Sequence, residues 1–187
     1  MRKLIVFSHL SLDGIAAIPS GNLNWISYDK DLQAWAETIV ADTSTALYGR
    51  VTYELMKYWK TVPLNPDASK HDLEHARWIE NVEKIVVSEP DLIPDWNNAR
   101  VISENIEAEI LKLKEQPGKN ITVFGSPTVA NLLIKIGLAD EFQLSINPVI
   151  LGDGKFLFKD INNTKLKLLE ENSFASGVTT LHYQLIK

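Results

Sequence analysis

The chain has 187 residues, enough for one domain with a sizeable core, and its 45% hydrophobic and 23% charged residues are those of an ordinary globular protein. A net charge of −5 argues against nucleic acid or an anionic membrane as the main partner, and the lack of cysteine excludes disulfides, thiolate metal sites and cysteine nucleophiles. No apolar run is long enough for a signal-peptide core or a membrane span, so a cytoplasmic location is expected.

The first strand-like run covers residues 3–7. SLDGIAA follows, where Asp13 and Gly14 read as a turn and the small Ala16 and Ala17 would let a flat ring lie against the backbone. GNLNW brings Trp25 to the start of a helix expected over residues 29–40, where the indole either covers a pocket or packs. That helix carries Leu32, Trp35, Ala36 and Ile39 on one face. Asp31 sits in its first turn, either a solvated carboxylate compensating the helix dipole or one aimed into a cleft to orient a ring nitrogen or help protonation.

A second strand, residues 45–48, runs into LYGRVTYE, with a short helix expected from about Val51. Gly49, Arg50 and Thr52 read either as a phosphate grip, guanidinium plus hydroxyl, or as a plain glycine turn with an exposed arginine. Residues 61–70, with Pro63 and Pro66, form a surface loop before a helix expected over 70–79. His71, Glu74 and His75 in HDLEH match a zinc-protease spacing literally, but the segment is polar throughout and no third ligand follows from spacing, so a solvated helix and no metal is the expectation.

Strand-like runs recur at 84–87, 99–102 and 121–124, with Ser88 after the first and a helix over 104–114. The run VFGSPTVANLLIKIG is the most informative stretch. An apolar strand ends at Gly125, Ser126 is placed to cap a helix, and Pro127 suits its first position. Val129, Leu132, Leu133 and Ile136 then line one face until Gly137 stops it. Its bare N-terminus, from Gly125 through Thr128 and Val129, is either a phosphate cradle or an ordinary strand–turn–helix joint. A last strand at 141–146 and β-like runs at 165–171 and 178–186 suggest a closing antiparallel hairpin. Strands alternating with helices predict a mainly parallel sheet covered on both faces, with ligand-binding loops at the strand carboxyl ends.

SLDGIAA, GNLNW, LYGRVTYE, KIVVSEP, NITVFGSPTVANLLIKIGLADEF and SINPVILGDGKFLF together resemble the dihydrofolate-reductase-like superfamily. They are most similar to the C-terminal reductase domain of the bifunctional riboflavin-biosynthesis deaminase/reductase, over almost the whole chain. The resemblance implies a single three-layer α/β domain over 1–187 and an NAD(P)H-dependent reductase passing hydride to a small pterin-like or aminopyrimidine-like heterocycle. The alternatives are the riboflavin-pathway aminouracil reductase and a nucleotide-binding protein without turnover. It also implies that Gly49, Arg50 and Thr52 hold cofactor phosphates with Ser88 near the adenosine. Gly125, Ser126, Pro127, Thr128 and Val129 would line the pyrophosphate, and Ala16 and Ala17 would meet the nicotinamide of NADPH. Asp31 is the candidate for orienting substrate and Trp25 for closing over it. Glu89, a carboxylate beside Ser88, would repel a 2′-phosphate, which admits NADH as the cofactor. Homodimerisation is implied as well, near Phe156 and Phe158 or the C-terminal strands.

Overall fold

Apolar side chains run almost unbroken through residues 4–7, 85–87 and 121–124, so the sheet buries two faces and needs a helical layer on each. A computed structural model describes residues 1–186 and has this arrangement. One sheet holds β1 (Leu4–Ser11), β3 (Thr43–Gly49), β4 (Glu83–Val87), β5 (Ala99–Ile102), β6 (Asn120–Phe124), β7 (Glu141–Asn147), β9 (Leu166–Ser173) and β10 (Thr179–Leu185). Their order is β5-β4-β3-β6-β1-β7-β10-β9, parallel from β5 through β7 and antiparallel from β7 to β9. The fold is the expected mixed α/β one, mainly parallel with a closing hairpin.

The helices are α1 (Lys30–Ala41), α2 (Arg50–Met56), α3 (Lys70–Asn81), α4 (Ile106–Glu115) and α5 (Pro127–Lys135). Ile110 and Leu113 of α4 and Val129 and Leu133 of α5 pack on Val6, Leu47 and Val123 on one face. On the other face Trp35 of α1 lies against Phe7 and Trp78 of α3 against Phe124, at ring separations of 5.7 and 5.6 Å. The expected helix from Val51 begins one residue earlier, and the loop at 61–70 contains a single 3-10 turn, Val62–Leu64.

A two-stranded ribbon, β2 (Ile15–Ala17) with β8 (Lys155–Phe156), is not foreseen in the sequence because strands this short carry no readable period. Gly154 makes it possible: with φ of 152° and a would-be Cβ 2.5 Å from the Ala17 carbonyl oxygen, no side chain fits there. The closing hairpin also extends further than expected, with β9 continuing to Ser173. Its turn closes through a Phe174 N–H donating to the Val178 carbonyl at 2.9 Å.

Candidate functional site

In open α/β sheets the ligand crevice lies beyond the carboxyl ends of the strands where the strand order reverses. Here that point is at β3, β6 and β1, and two glycine turns meet there. Gly125 and Ser126 both take left-handed backbone conformations, φ 56° and 51°, which swing the chain from β6 into α5. The Gly125 N–H donates to the Phe7 carbonyl of β1 at 3.0 Å. The Ser126 hydroxyl accepts from the Gly49 N–H at 2.9 Å and donates to the Thr52 hydroxyl at 2.8 Å. A Cβ on Gly49 would lie 3.1 Å from Val129 Cγ2, so glycine is what lets the β3 and β6 turns touch.

Ser126 therefore departs from the expected capping role. It occupies the N-cap position of α5, but its left-handed backbone turns the hydroxyl toward β3 and makes no cap bond. Ala130 N–H makes the first intrahelical bond, to the Ser126 carbonyl at 2.9 Å, leaving the Thr128 and Val129 N–H groups ahead of it at the positive end of the dipole. Thr128 is exposed, Val129 buried and Pro127 between them in exposure. Arg50 opens α2 beside this turn, and its Nη1 donates to both oxygens of Asp91 at 2.7 and 2.8 Å. That bond raises the guanidinium pKa and lowers the Asp91 carboxyl. Ser88 follows β4, with its Oγ buried and unpartnered among the described residues, while Glu89 is exposed. Ala16 and Ala17 are on β2, where the Asp13 carboxylate pins the preceding turn by accepting from the Gly152 N–H at 2.8 Å. Its pKa is held at about 2, chiefly by the Ser11 hydroxyl and then by Gly152. Gly49, Thr52, Gly125, Ser126 and Val129 are thus brought together, and a side-chain-free turn beside bare helix donors fits an extended, phosphate-bearing group.

Across β1 the residues are of another kind. Asp29, not a helix residue, is the N-cap of α1; its Oδ1 accepts from Leu32 N–H at 2.7 Å and its Oδ2 from Ser176 N–H at 3.2 Å. Asp31 is exposed in the first turn and Trp25 is half-buried with Nε1 unpartnered among the described residues. Behind them His9 of β1, Gln143 and Ser145 of β7 and Thr180 of β10 turn polar atoms into the protein. Sequence reasoning passed over these four. The signal was EFQLSIN, whose Gln143, Ser145 and Asn147 alternate with apolar residues in a strand covered on both faces.

The helix that carries His71 and His75, α3, is less polar than its sequence suggests. His75 packs between Trp59 and Trp78, with ring centroids at 4.3 and 5.4 Å, while His71 bonds Glu37 of α1 at 2.7 Å. Among the described residues no group of three or more potential ligands could hold a metal ion. Burial pulls the His75 pKa down to about 4, so the folded state keeps a neutral ring that the unfolded chain protonates below about 6.5. The stability this confers is complete above pH 6.5 and lost as pH falls toward 4, on the order of 2 kcal/mol by pH 5. Urea unfolding at pH 8 and pH 5 checks this: His75→Phe should narrow the difference between them, and an unchanged difference would contradict the burial.

Sequence and structure comparisons agree with this fold. The uncharacterized protein YyaP of Bacillus subtilis (strain 168) is 35% identical over 185 residues, covering 97% of this chain and 94% of YyaP. A protein from Shewanella sp. PV-4, provisionally named for riboflavin biosynthesis, superposes with a TM-score of 0.76 at 17% identity over 99% of both chains. Dihydrofolate reductase from Enterococcus faecalis, complexed with NADP(H), superposes with a TM-score of 0.62 at 16% identity, covering 99% of this chain and 97% of the enzyme. No helix among the described residues is long and apolar enough to cross a membrane. The RibD C-terminal domain model matches residues 2–180, and with a fold shared with dihydrofolate reductase the chain belongs to the RibD C-terminal domain family.

Proposed function

We propose that this protein is an NADPH-dependent reductase that passes hydride to a small nitrogen heterocycle, pterin-like or aminopyrimidine-like. The observation that carries this reading is the junction of Gly49 and Gly125 at the β3 and β6 carboxyl ends, beside the uncapped start of α5. NADPH, when bound, supplies the hydride. Thr128 and Val129 N–H groups would hold its pyrophosphate, Arg50 a phosphate, and Ser88 Oγ the adenosine side. Ala16 and Ala17 would let the nicotinamide lie flat against β2, while Trp25 would shield the reacting rings from water. Family membership and the NADP(H)-bound dihydrofolate reductase of like fold support the assignment.

Arg50→Ala tests it. The side chain is half-exposed and its Asp91 partner more so, so the fold should be unaffected. NADPH affinity should fall by about 1.5–3 kcal/mol, the worth of a charge-assisted bond. Equal calorimetric affinities in variant and wild type would remove Arg50 from the site.

We further propose a homodimer. Phe156 and Phe158 are 46% and 43% exposed, and Leu168 and Leu169 of the edge strand β9 are 44% and 42% exposed. Apolar groups beside an unpaired strand edge favour a two-fold contact. Light scattering should give about twice 21.0 kDa, with Phe156→Asp shifting the mass toward one chain. A monomer mass for the wild type would reject the dimer.

A further inference from the structure

The start of α2 points two ways. Gly49 and Thr52 meet Ser126 of the β6 turn, while Arg50 between them reaches the other side, to Asp91 in the loop after β4. Strand order explains the split, because β3 lies between β6 and β4. The Asp91 carboxylate is set in place by its own segment. Pro90 and Asp91 are the central residues of a turn closed by the Leu92 N–H donating to the Glu89 carbonyl at 3.3 Å, and Leu92 itself is buried. Further on, Asp95 accepts from the Tyr53 hydroxyl at 3.1 Å and pairs with Lys57 at 3.2 Å, and the buried Trp96 ring lies against Tyr53. The loop is thus tied along α2 at both ends, with a carboxylate at each tie.

Both oxygens of Asp91 accept from Nη1 of Arg50, at 2.7 and 2.8 Å, so the hydrogens of that nitrogen are already used. The pair is exposed, 47% for the Arg50 side chain and 64% for that of Asp91, and so holds weakly. A phosphate bonds a guanidinium more strongly and can take the place of Asp91. The carboxylate stays close all the same, because the buried Leu92 and the Asp95 contacts keep its loop on α2. The other cations of this stretch are matched as well. Lys57 pairs with Glu54 at 2.8 Å and Lys60 with Asp95 at 3.8 Å. The Asp91 hydrogen bond first, and the Glu54 charge least, raise the Arg50 pKa. A phosphate arriving at Arg50 therefore meets a guanidinium that acids already surround.

We propose that Asp91 is a specificity-determining residue that competes with the 2′-phosphate of NADPH for Arg50 and so narrows the preference for NADPH over NADH. A dinucleotide with its pyrophosphate at the start of α5 and its adenosine by Ser88 spans from β6 over β3 to β4. The phosphate within reach of Arg50 on the β4 side is then the one on the adenosine ribose, which NADH lacks. Anions that share one guanidinium lie within about 6 Å of each other, and there a carboxylate weakens binding of a doubly charged phosphate about five- to tenfold even in water. Sequence reasoning names Glu89 as the repelling acid; the bond to Arg50 is made by Asp91 instead. The competition with a phosphate rests on the NADPH reading, whereas the occupation of Arg50 rests on the ion pair alone.

Calorimetric titration of the full chain with NADPH and with NADH tests this. Asp91→Asn keeps the size of the side chain and one oxygen for Arg50 but removes the charge, and at an exposed position it should fold like the wild type. The ratio of NADH to NADPH dissociation constants should rise about five- to tenfold, through tighter NADPH binding, with NADH changed less than about twofold. Asp95→Asn takes a carboxylate from the same loop that pairs with Lys57 and Lys60, and it should leave the ratio within about twofold. In an Arg50→Ala background the gain from Asp91→Asn should shrink below about twofold, as competition for that side chain requires. An unchanged or lower ratio in Asp91→Asn, an equal rise in Asp95→Asn, or a full gain without Arg50 would each overturn the proposal. Should Asp91→Asn fail to fold, Asp91→Ser carries the same measurement with the same outcomes. Failure of both dinucleotides to bind the wild type would overturn the NADPH reading and this proposal with it. Binding of both, at a ratio indifferent to Asp91, overturns the proposal alone.

Discussion

Replacing Asp140 by alanine is expected to lower the unfolding free energy by about 3–5 kcal/mol, the cost of leaving a buried charge without its partner. The charge is Lys114, at the end of α4 and only 4% exposed. Its ammonium is bound by Asp140 Oδ2 and by the Leu138 carbonyl at 2.9 Å. The same Asp140 oxygen accepts the Leu4 N–H at 2.8 Å, so one carboxylate ties together α4, the first residue of β1 and the approach to β7. Removing it strands the ammonium and the Leu4 amide together. Urea denaturation measures the loss, and a change below about 1 kcal/mol would show that the pair is not holding these elements. Lys114→Met/Asp140→Leu should be far less damaging than Asp140→Ala, because two apolar groups leave no orphaned charge.

Gly125→Val is expected to weaken NADPH binding about 100-fold, close to 3 kcal/mol, while the protein stays folded. The backbone there has a φ of 56°, which costs a β-branched residue roughly 1–2 kcal/mol. Space exists for the first carbon, which would lie 3.9 Å from Thr52 Cγ2, so the fold can accept it. The remaining methyls would stand between Thr52 and the start of α5, where the proposed phosphates approach the backbone. Gly137→Val is the control: φ is 73°, nothing lies within 4 Å of its would-be Cβ, and it follows the far end of α5. It should bring a similar strain and leave NADPH affinity unchanged. Equal affinity in both variants would separate the Gly125 turn from cofactor binding.

The two variants differ in how visible their reasons are in the sequence. Gly125 is conspicuous in one dimension, between an apolar strand and the Ser-Pro that opens an amphipathic helix. The Asp140–Lys114 pair is not, since its partners are 26 residues apart and each looks like a surface charge on its own segment. The same division runs through the candidate site. The turns at Gly49 and Gly125 were legible because glycine, Ser-Pro and helical periodicity are local signals. The hydroxyl of Ser126 was misread as a cap because the group that claims it, the Gly49 N–H, is 77 residues away.

The sequence alone determined the alternation of strands and helices, the apolar face of α5, the glycine turns at the strand ends and the closing hairpin. Each of these is written in spacings of a few residues, where period and turn chemistry act directly on the backbone. Tertiary structure decided which turns meet, and it built the β2–β8 ribbon over Gly154. It also engaged both oxygens of Asp29 while leaving Asp31 exposed, and it aligned His9, Ser145 and Thr180 across three strands. Those outcomes depend on register and burial between segments far apart in the chain, and a polar residue's role there is set by whether a partner arrives.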